Sequence, residues 1–408
     1  MLRILEGVGI PNTRLLTFMG LVLVAFSYLL YRRFEGQLRR MSLRVLLWWK
    51  ARRFAQRPGY VSPQGRAVLE YLMERKAPSP ETTPGGVDLV SMRQSQEFLI
   101  LPVDTGGLEW PPRRVRLEMG HTTASFVGPI PGHCVPPLQQ ELVGEWIHPQ
   151  GVEVSTQTGF VIALHGGGFC AGSALKNRAL HSAIARHSRL PLFALDYPLC
   201  PDVSLREQIG FVVEAYGFLL RESGCPPSRV RLLGDSAGGG LAVLLMQEIL
   251  RISQHLEAHP EVGTIPGWGM VGACALLSPW LDLSCENDSN KNLASVDPLL
   301  HEDLGFPILD MTRGDLNLTS PSYSPLYGPM EGLCPVLVHV GQLEVLLDDS
   351  RLFGLKCPTA TVQEFPGMWH CFSQWNQLVP EAAESCAELG RFLTSLTPGP
   401  QKKVVEAS

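Results

Sequence analysis

The sequence predicts an α/β fold in which helices cover both faces of a mainly parallel sheet. Short apolar runs recur between residues 158 and 396, and helical stretches separate several of them. Such runs are typical of strands buried on both faces, and their alternation with helices is typical of parallel pairing. The length of 408 residues allows one large domain or two ordinary ones, and 45% hydrophobic residues allow a sizeable core.

The predicted strands are four or five residues long. In chain order they are Phe160–Leu164, Leu192–Leu195, Val230–Leu233, Ala273–Leu277, Val336–Val340 and Thr361–Phe365. Two of the intervening helices are expected at Ser204–Ser223 and at Gly238–Leu250, the second of which directly follows a tight glycine-rich turn.

Composition excludes several other classes of protein. A net charge of −5 gives no support to a nucleic-acid-binding role, for which a clustered basic face is expected. The ten cysteines include no C-x-x-C pair, so neither a zinc ribbon nor a thioredoxin-type site is predicted. Ten in 408 are too sparse for a disulfide scaffold, and most are expected to be small buried hydrophobes, with one or two disulfides left open.

An apolar segment near the N-terminus predicts a membrane anchor. Leu15–Tyr31 is 17 residues without a charge. That length is the lower limit for a helix that spans about 30 Å of hydrocarbon. A cleaved signal peptide is the alternative, but the segment runs directly into a basic flank and has no small-residue cleavage site. We therefore expect an uncleaved, single-pass anchor in the endoplasmic reticulum membrane.

Two features give opposite predictions for the side of the membrane that holds the domain. Eight Lys or Arg residues follow the segment within residues 32–53 and two precede it, which favours a cytosolic domain. Asn287-Asp288-Ser289 and Asn317-Leu318-Thr319 are glycosylation acceptor triplets, which favour a lumenal domain. Leu43–Phe54 mixes Trp and Leu with Arg and Lys, and fits either a membrane-surface helix or a helix packed on the domain.

A candidate nucleophile lies between the third predicted strand and the helix after it. Gly234-Asp235-Ser236-Ala237-Gly238 is a G-x-S-x-G sequence in a strand–turn–helix context. The turn is so tight that a side chain at either glycine would clash. This turn places the Ser236 hydroxyl at the N-terminus of the helix, where negative charge is favoured. One alternative is an incidental serine in a glycine-rich turn. Another is a phosphate-binding loop, which is disfavoured because no G-K-[ST] sequence follows either glycine run.

A second glycine run supplies candidate donors for an oxyanion. His165-Gly166-Gly167-Gly168 follows the first predicted strand, and glycines let backbone N–H groups approach a substrate oxygen closely. The expected donors are the N–H groups of Gly167, Gly168 and Ala237. We expect His165 to orient this loop rather than to take part in chemistry.

The base and the acid are predicted from their positions late in the chain. His370 follows the last strand and a Pro-Gly turn, whereas His339 lies inside an apolar strand and is expected in the core. Glu344 comes four residues after a strand end, where a loop at the sheet edge is expected. Asp348 and Asp349 instead fit the first turn of the next helix.

The order Ser236, Glu344, His370 is the order of α/β-hydrolases, and the sequence resembles the hormone-sensitive lipase family of these esterases. That group includes arylacetamide deacetylase-like and steryl acetyl hydrolase-like proteins. The residues that carry the resemblance are His165–Gly168, Asp196–Pro201, Gly234–Gly239, Ser278–Leu283, Glu344–Ser350, Gly367 and His370. The family typically has Asp at the acid position, but members with the sequence found at Glu344–Asp349 carry Glu, as here. The sequence departs from the family in a shorter stretch between Asp349 and His370 and in Cys371, where glycine is common.

The resemblance implies an α/β-hydrolase fold with a helical cap. The cap would come from helices within residues 62–154 and from an insertion at about 284–324. The implied division is an anchor with its basic flank (1–40), a juxtamembrane and cap-contributing region (41–157), a catalytic domain (158–396) and a flexible tail (397–408). The oligomeric state is left open.

The expected function is that of a membrane-anchored serine carboxylester hydrolase acting on lipophilic esters. Ser236, His370 and Glu344 would form the triad, and no metal or organic cofactor is expected. Amide hydrolysis shares this mechanism, so an amidase fits the same residues. The alternative is a ligand-binding protein that keeps the pocket without turnover, as in family members that have lost the histidine.

Overall fold

The computed structural model describes residues 61–74, 101, 103–119, 141–265, 267–300 and 317–395. The expected anchor Leu15–Tyr31, the segment Leu43–Phe54 and the tail 397–408 lie outside these residues. Within the described ranges, no helix combines the length and the apolar character needed to cross a membrane.

Eight strands of the described chain form one sheet in the order β1-β2-β4-β3-β5-β6-β7-β8. β1 and β2 pair antiparallel with each other, and β2 pairs antiparallel with β4, whereas all pairs from β4 through β3 to β8 are parallel. The strands are β1 (Arg113–Glu118), β2 (Glu141–Ile147), β3 (Phe160–Leu164), β4 (Leu192–Leu195), β5 (Val230–Asp235), β6 (Ala273–Leu277), β7 (Val336–Gly341) and β8 (Ala360–Phe365).

Helices lie on both faces of this sheet. They are α1 (Pro63–Glu74), α2 (Arg178–Ser188), α3 (Leu205–Ser223), α4 (Ala237–Ala258), α5 (Asp288–Asn292), α6 (Leu347–Lys356) and α7 (Pro380–Thr394). Phe160, Ile162 and Leu164 of β3 pack in one core with side chains of α3, α4 and α6. Val161 and Ala163 pack in another with side chains of α2 and α7. Successive residues of a strand point to opposite faces, so both faces of the sheet are buried at β3, as predicted.

The predicted parallel strands are confirmed to within two residues, and those from β3 to β7 are buried along their whole length. Helix α3 begins where expected, since Ser204 and Glu207 form a reciprocal capping box and Gly224 closes the helix with a left-handed backbone (φ 61°). Helix α4 extends to Ala258, eight residues beyond the predicted end.

The first two strands were not predicted, and they correct the extent of the sheet. β1 exposes almost all of its side chains, so no apolar periodicity marks it. An ion pair at 2.7 Å joins Arg116 of β1 to Glu141 of β2 across the strands. The predicted start of the catalytic domain at residue 158 therefore falls inside the sheet, which begins at Arg113.

Helix α1 lies beside the loop that carries His370. Its Ala67 and Val68 share an apolar cluster with Met368 and Trp369. Residues 301–316, the middle of the expected cap insertion, lie outside the described residues. The nine cysteines within the described ranges are free thiols, and all but Cys285 are buried.

Candidate active site

Ser236 occupies the turn between β5 and α4. Its backbone has φ 53° and ψ −123°, a conformation that L-residues seldom adopt. A Cβ on Gly234 would lie 2.5 Å from the carbonyl oxygen of Gly238, and one on Gly238 would lie 2.1 Å from that of Leu164. Both positions therefore require glycine, as the G-x-S-x-G pattern predicts.

The structure brings His370 to this serine across 134 residues of sequence. Nε2 of His370 lies 3.0 Å from Oγ of Ser236, and Nδ1 lies 3.4 Å from Oε1 of Glu344. His370 is 5% exposed and Glu344 is fully buried. The three predicted residues thus form one line of side chains at the carboxyl edge of the sheet. The shorter stretch before His370 and the cysteine after it do not prevent this arrangement.

The second oxygen of Glu344 is fixed by two donors. Oε2 accepts hydrogen bonds from the N–H of Gly341 at 2.9 Å and from Oγ of Ser278 at 2.7 Å. The same Ser278 hydroxyl accepts a bond from the N–H of Cys371 at 3.0 Å. Ser278 therefore joins the acid loop to the base loop. Its role was not predicted, although it begins Ser278–Leu283, one of the segments that carry the family resemblance.

The two other acid candidates bind elsewhere. Oδ2 of Asp349 accepts bonds from the N–H groups of Leu281 and Asp282 at 2.8 and 2.9 Å, and burial raises the pKa of Asp349 to about 7. Oδ2 of Asp348 accepts one from the N–H of Ser289 at 2.8 Å. Both carboxylates hold the segment that follows β6.

The electrostatics of His370, the candidate base, favour its protonated form. Burial by itself lowers the pKa of His370, but contacts with Cys371 and with the Glu344 carboxylate outweigh it and raise the pKa above the ordinary histidine value. The Cys371 sulfur lies 3.4 Å from Nε2, where it can accept a hydrogen bond from the protonated ring, and burial raises the pKa of this thiol to about 11. His339, in contrast, is a core residue as predicted, with its pKa lowered by burial to about 3.

The glycine loop after β3 passes directly against the serine. A Cβ on Gly166 would lie 3.1 Å from Cβ of Ser236. Gly167 and Gly168 have φ values of 130° and 60°, and a Cβ on Gly167 would lie 2.1 Å from the carbonyl oxygen of Ala171. Only glycine therefore permits this course of the backbone.

His165 supports the loop from behind. Its ring stacks on Tyr197 at a centroid distance of 4.2 Å, and the Tyr197 hydroxyl donates to the His165 carbonyl at 2.5 Å. Nδ1 of His165 donates to the Gly166 carbonyl at 2.8 Å, and burial lowers the pKa of His165. These contacts fit the orienting role expected for His165.

Asp235 connects the nucleophile turn to two other elements. Its carboxylate accepts bonds from Nδ2 of Asn177 at 2.7 Å and from Nε2 of Gln374 at 3.1 Å. Burial raises the pKa of Asp235 to about 6. Asn177 precedes α2, and Gln374 lies four residues after His370, so this carboxylate holds both near Ser236. Sequence reasoning missed both partners.

The sheet order, the turn at Ser236 and the serine–histidine contact define an α/β-hydrolase. Residues 161–374 match the model of an alpha/beta hydrolase fold family. The chain is 32% identical over 309 residues to an acetyl-hydrolase of Streptomyces hygroscopicus, covering 74% of this chain and 95% of that protein. It is 34% identical over 255 residues to an esterase of Acinetobacter venetianus, covering 60% and 79%.

Solved structures identify the family more narrowly. An esterase of the bacterial hormone-sensitive lipase family matches with a TM-score of 0.64 and 29% identity over 82% of this chain and 98% of that chain. An esterase/lipase from an uncultured bacterium matches with a TM-score of 0.65 and 26% identity, over 82% and 99%. The chain belongs to the hormone-sensitive lipase family of α/β-hydrolases, which confirms the resemblance drawn from its motifs.

Proposed function

We propose that this protein is a serine hydrolase that cleaves carboxylic esters, with Ser236 as nucleophile, His370 as base and Glu344 as acid. The observation that carries the proposal is the 3.0 Å contact between Ser236 Oγ and His370 Nε2 at a strained strand–helix turn. A serine hydroxyl needs such a base to become nucleophilic at neutral pH. Relatives named as acetyl-hydrolase and esterase support the same reaction class.

In the proposed first step, His370 Nε2 takes the Ser236 Oγ proton as Oγ bonds to the ester carbonyl carbon. The resulting imidazolium is stabilised by Glu344, which accepts the Nδ1–H hydrogen bond and selects the tautomer with Nε2 free. Collapse of the tetrahedral intermediate breaks the bond to the alcohol oxygen, and Nε2–H delivers its proton to that oxygen. Water then repeats the sequence on the acyl-enzyme and releases the acid.

The negative oxygen of each intermediate needs donors that are already in place. We assign this role to the N–H groups of Gly167, Gly168 and Ala237. The left-handed backbone of both glycines and the position of Ala237 at the start of α4 support the assignment. The mechanism uses only side chains and backbone of this chain and requires no metal or organic cofactor.

The proposal includes membrane attachment through Leu15–Tyr31, whose uncharged length supports it. An enzyme held at a lipid surface meets esters that partition into lipid, so lipophilic esters are the proposed substrates. Carbonate extraction of cell membranes tests the attachment. Full-length protein that stays in the pellet supports it, and release into the supernatant contradicts it.

The side of the membrane is best tested at one of the two acceptor triplets. Asn317 is exposed, whereas Asn287 is half-buried and its Nδ2 donates to Asp349 Oδ1 at 2.8 Å. Asn287→Gln would therefore disrupt the hydrogen bond to Asp349 as well as remove a glycosylation acceptor. An endoglycosidase-sensitive band that disappears in Asn317→Gln places the domain in the lumen. Protease digestion of the domain in sealed microsomes places it in the cytosol.

The reaction is tested with the full-length chain in detergent. Rates on p-nitrophenyl acetate, butyrate and octanoate are measured for wild type, Ser236→Ala and His370→Ala. We expect both variants to lose about 10,000-fold or more in kcat. Ser182→Ala is the matched control, because its buried hydroxyl has no hydrogen-bond partner within the described structure.

The alternative, a ligand-binding protein without turnover, predicts a different result. Folded wild type would then hydrolyse none of the three esters, and a fluorophosphonate probe would leave Ser236 unlabelled. Turnover that persists in Ser236→Ala would instead show that another residue is the nucleophile.

A further inference from the structure

The peptide that follows the proposed acid Glu344 is held on both sides by residues 289–297, at the start of the expected cap insertion. The N–H of Val345 donates to Oδ2 of Asp297 at 3.1 Å. The carbonyl of Val345 accepts bonds from Oγ of Ser289 at 2.7 Å and from Nδ2 of Asn290 at 3.0 Å. Three side chains from one segment thus bind both polar groups of a single residue next to the acid.

We propose that Asp297, Ser289 and Asn290 are positioning residues for Glu344, acting through the Val345 peptide. The inference rests on the proposed function, in which Glu344 orients the base. It gives Asp297, Ser289 and Asn290 a part in catalysis that the sequence analysis did not predict, and it gives the start of the cap insertion a part in setting the triad geometry.

Asp297 uses its carboxylate in a way that no neutral isostere can copy. Oδ1 accepts the N–H groups of Leu299 and Leu300 at 2.9 and 3.1 Å, and Oδ2 accepts that of Val345. Both oxygens therefore face backbone donors, and the side chain is fully buried. An asparagine must turn its own NH₂ group toward one of these donors, which leaves a buried donor unpaired.

Ser289 also uses its hydroxyl twice. Besides donating to Val345, Oγ accepts the N–H of Asp348 at 3.0 Å, and the N–H of Ser289 donates to Oδ2 of Asp348 at 2.8 Å. The first turn of α6 is thereby tied to α5, one turn beyond Glu344. The acid loop is fixed at two successive points by the same short helix.

The geometry of the acid makes this support consequential. Oε1 of Glu344 lies 3.4 Å from Nδ1 of His370, longer than the about 2.7–2.9 Å of a strong charged hydrogen bond. A further backbone shift of about 1 Å would remove the contact and cost about 100-fold in rate. A glutamate has one more side-chain torsion than an aspartate, so its carboxylate depends more on a fixed backbone.

The test compares full-length wild type with Asp297→Asn, Ser289→Ala and the control Asp288→Asn on p-nitrophenyl butyrate. Asp288 is exposed on α5, next to Ser289. Asp288→Asn therefore removes one negative charge without removing a hydrogen bond to the Val345 peptide. We expect Asp297→Asn to lose about 100-fold in kcat with KM within twofold of wild type. The acidic limb of its pH profile moves to lower pH, because His370 loses the attraction of the Asp297 charge as well as part of its support from Glu344. Ser289→Ala shows the same pattern with a smaller loss.

Three results would overturn the inference. One is a wild-type kcat and pH profile in both Asp297→Asn and Ser289→Ala. Another is an activity loss that only follows the folded fraction measured by near-UV circular dichroism, with an unmoved pH limb, which indicates a structural role alone. If wild type itself turns over no ester, the proposed function fails first and the inference falls with it.

Discussion

The proposed nucleophile region and the proposed acid–base region of the site are built by different means. Around Ser236, the backbone itself makes the geometry, and glycines at 166–167, 234 and 238 allow segments to approach where a single Cβ would collide. Around Glu344 and His370, side chains make the geometry through bonds that cross from one loop to another. The first region should therefore be intolerant of added volume, and the second intolerant of lost polar atoms.

Among the changes that test this contrast, the largest effect is expected from added volume beside Ser236. In Gly238→Ala, the new methyl would lie 2.1 and 2.5 Å from the carbonyl oxygens of Leu164 and His165, and backbone cannot yield as a flexible side chain can. We expect a loss of about 3 kcal/mol of unfolding free energy and about 1000-fold in esterase rate, since the oxyanion loop is displaced. Urea denaturation and initial rates measure both.

Gly269→Ala is the control for that substitution. Its added Cβ would lie 3.3 Å from Cγ of Pro227, a contact that a slight shift of the ring relieves. Wild-type stability in both glycine variants would show that the turn at Ser236 is not held by close backbone packing.

The next effect is expected from a lost polar atom in the acid–base region. Ser278→Ala removes the donor to Glu344 Oε2 and the acceptor for the Cys371 N–H, both in fully buried surroundings. A hydrogen bond to a charged group contributes about 1.5–3 kcal/mol, so we expect at least about tenfold lower kcat. Steady-state kinetics on p-nitrophenyl butyrate measure the loss.

Ser350→Ala is matched to Ser278→Ala in burial and chemistry. Ser350 is fully buried, but its hydroxyl has no hydrogen-bond partner within the described structure. It should keep wild-type kcat. Equal losses in the two variants would mean that removing any buried hydroxyl here lowers activity, and the contrast between the regions would not hold.

The same contrast explains how far the sequence could be interpreted. The nucleophile turn and the glycine loop are contiguous motifs whose geometry follows from residue size, so both were placed from sequence, as were the parallel strands. Ser278 lies 66 residues from Glu344, and Asn177 lies 58 from Asp235, and nothing local marks such pairs. β1 escaped prediction because its exposed, charged side chains carry no apolar period.

The smallest effect concerns the charge of the base. Contacts with Cys371 and Glu344 raise the pKa of His370 above the ordinary histidine value despite its burial. The imidazole acts as a base only when deprotonated, so kcat/KM should fall as pH is lowered through that raised pKa, with the midpoint above about 6.5.

The Cys371 sulfur, a weak acceptor 3.4 Å from Nε2, contributes to the shift. Cys371→Ala should therefore move the midpoint to lower pH by less than one unit.

Stopped-assay rates between pH 5 and 9 on a substrate with a pH-independent signal would record this midpoint. Within that range Cys371→Ala should become slightly more active than wild type near neutrality, by less than about tenfold, because more of its His370 is deprotonated. A midpoint below the ordinary histidine value in wild type would show that burial, which lowers the pKa of His370, outweighs the contacts that raise it. An unmoved midpoint in Cys371→Ala would show that Glu344, and not Cys371, raises the pKa of His370. Stabilisation of the imidazolium would then depend on the acid and base loops that Ser278 joins.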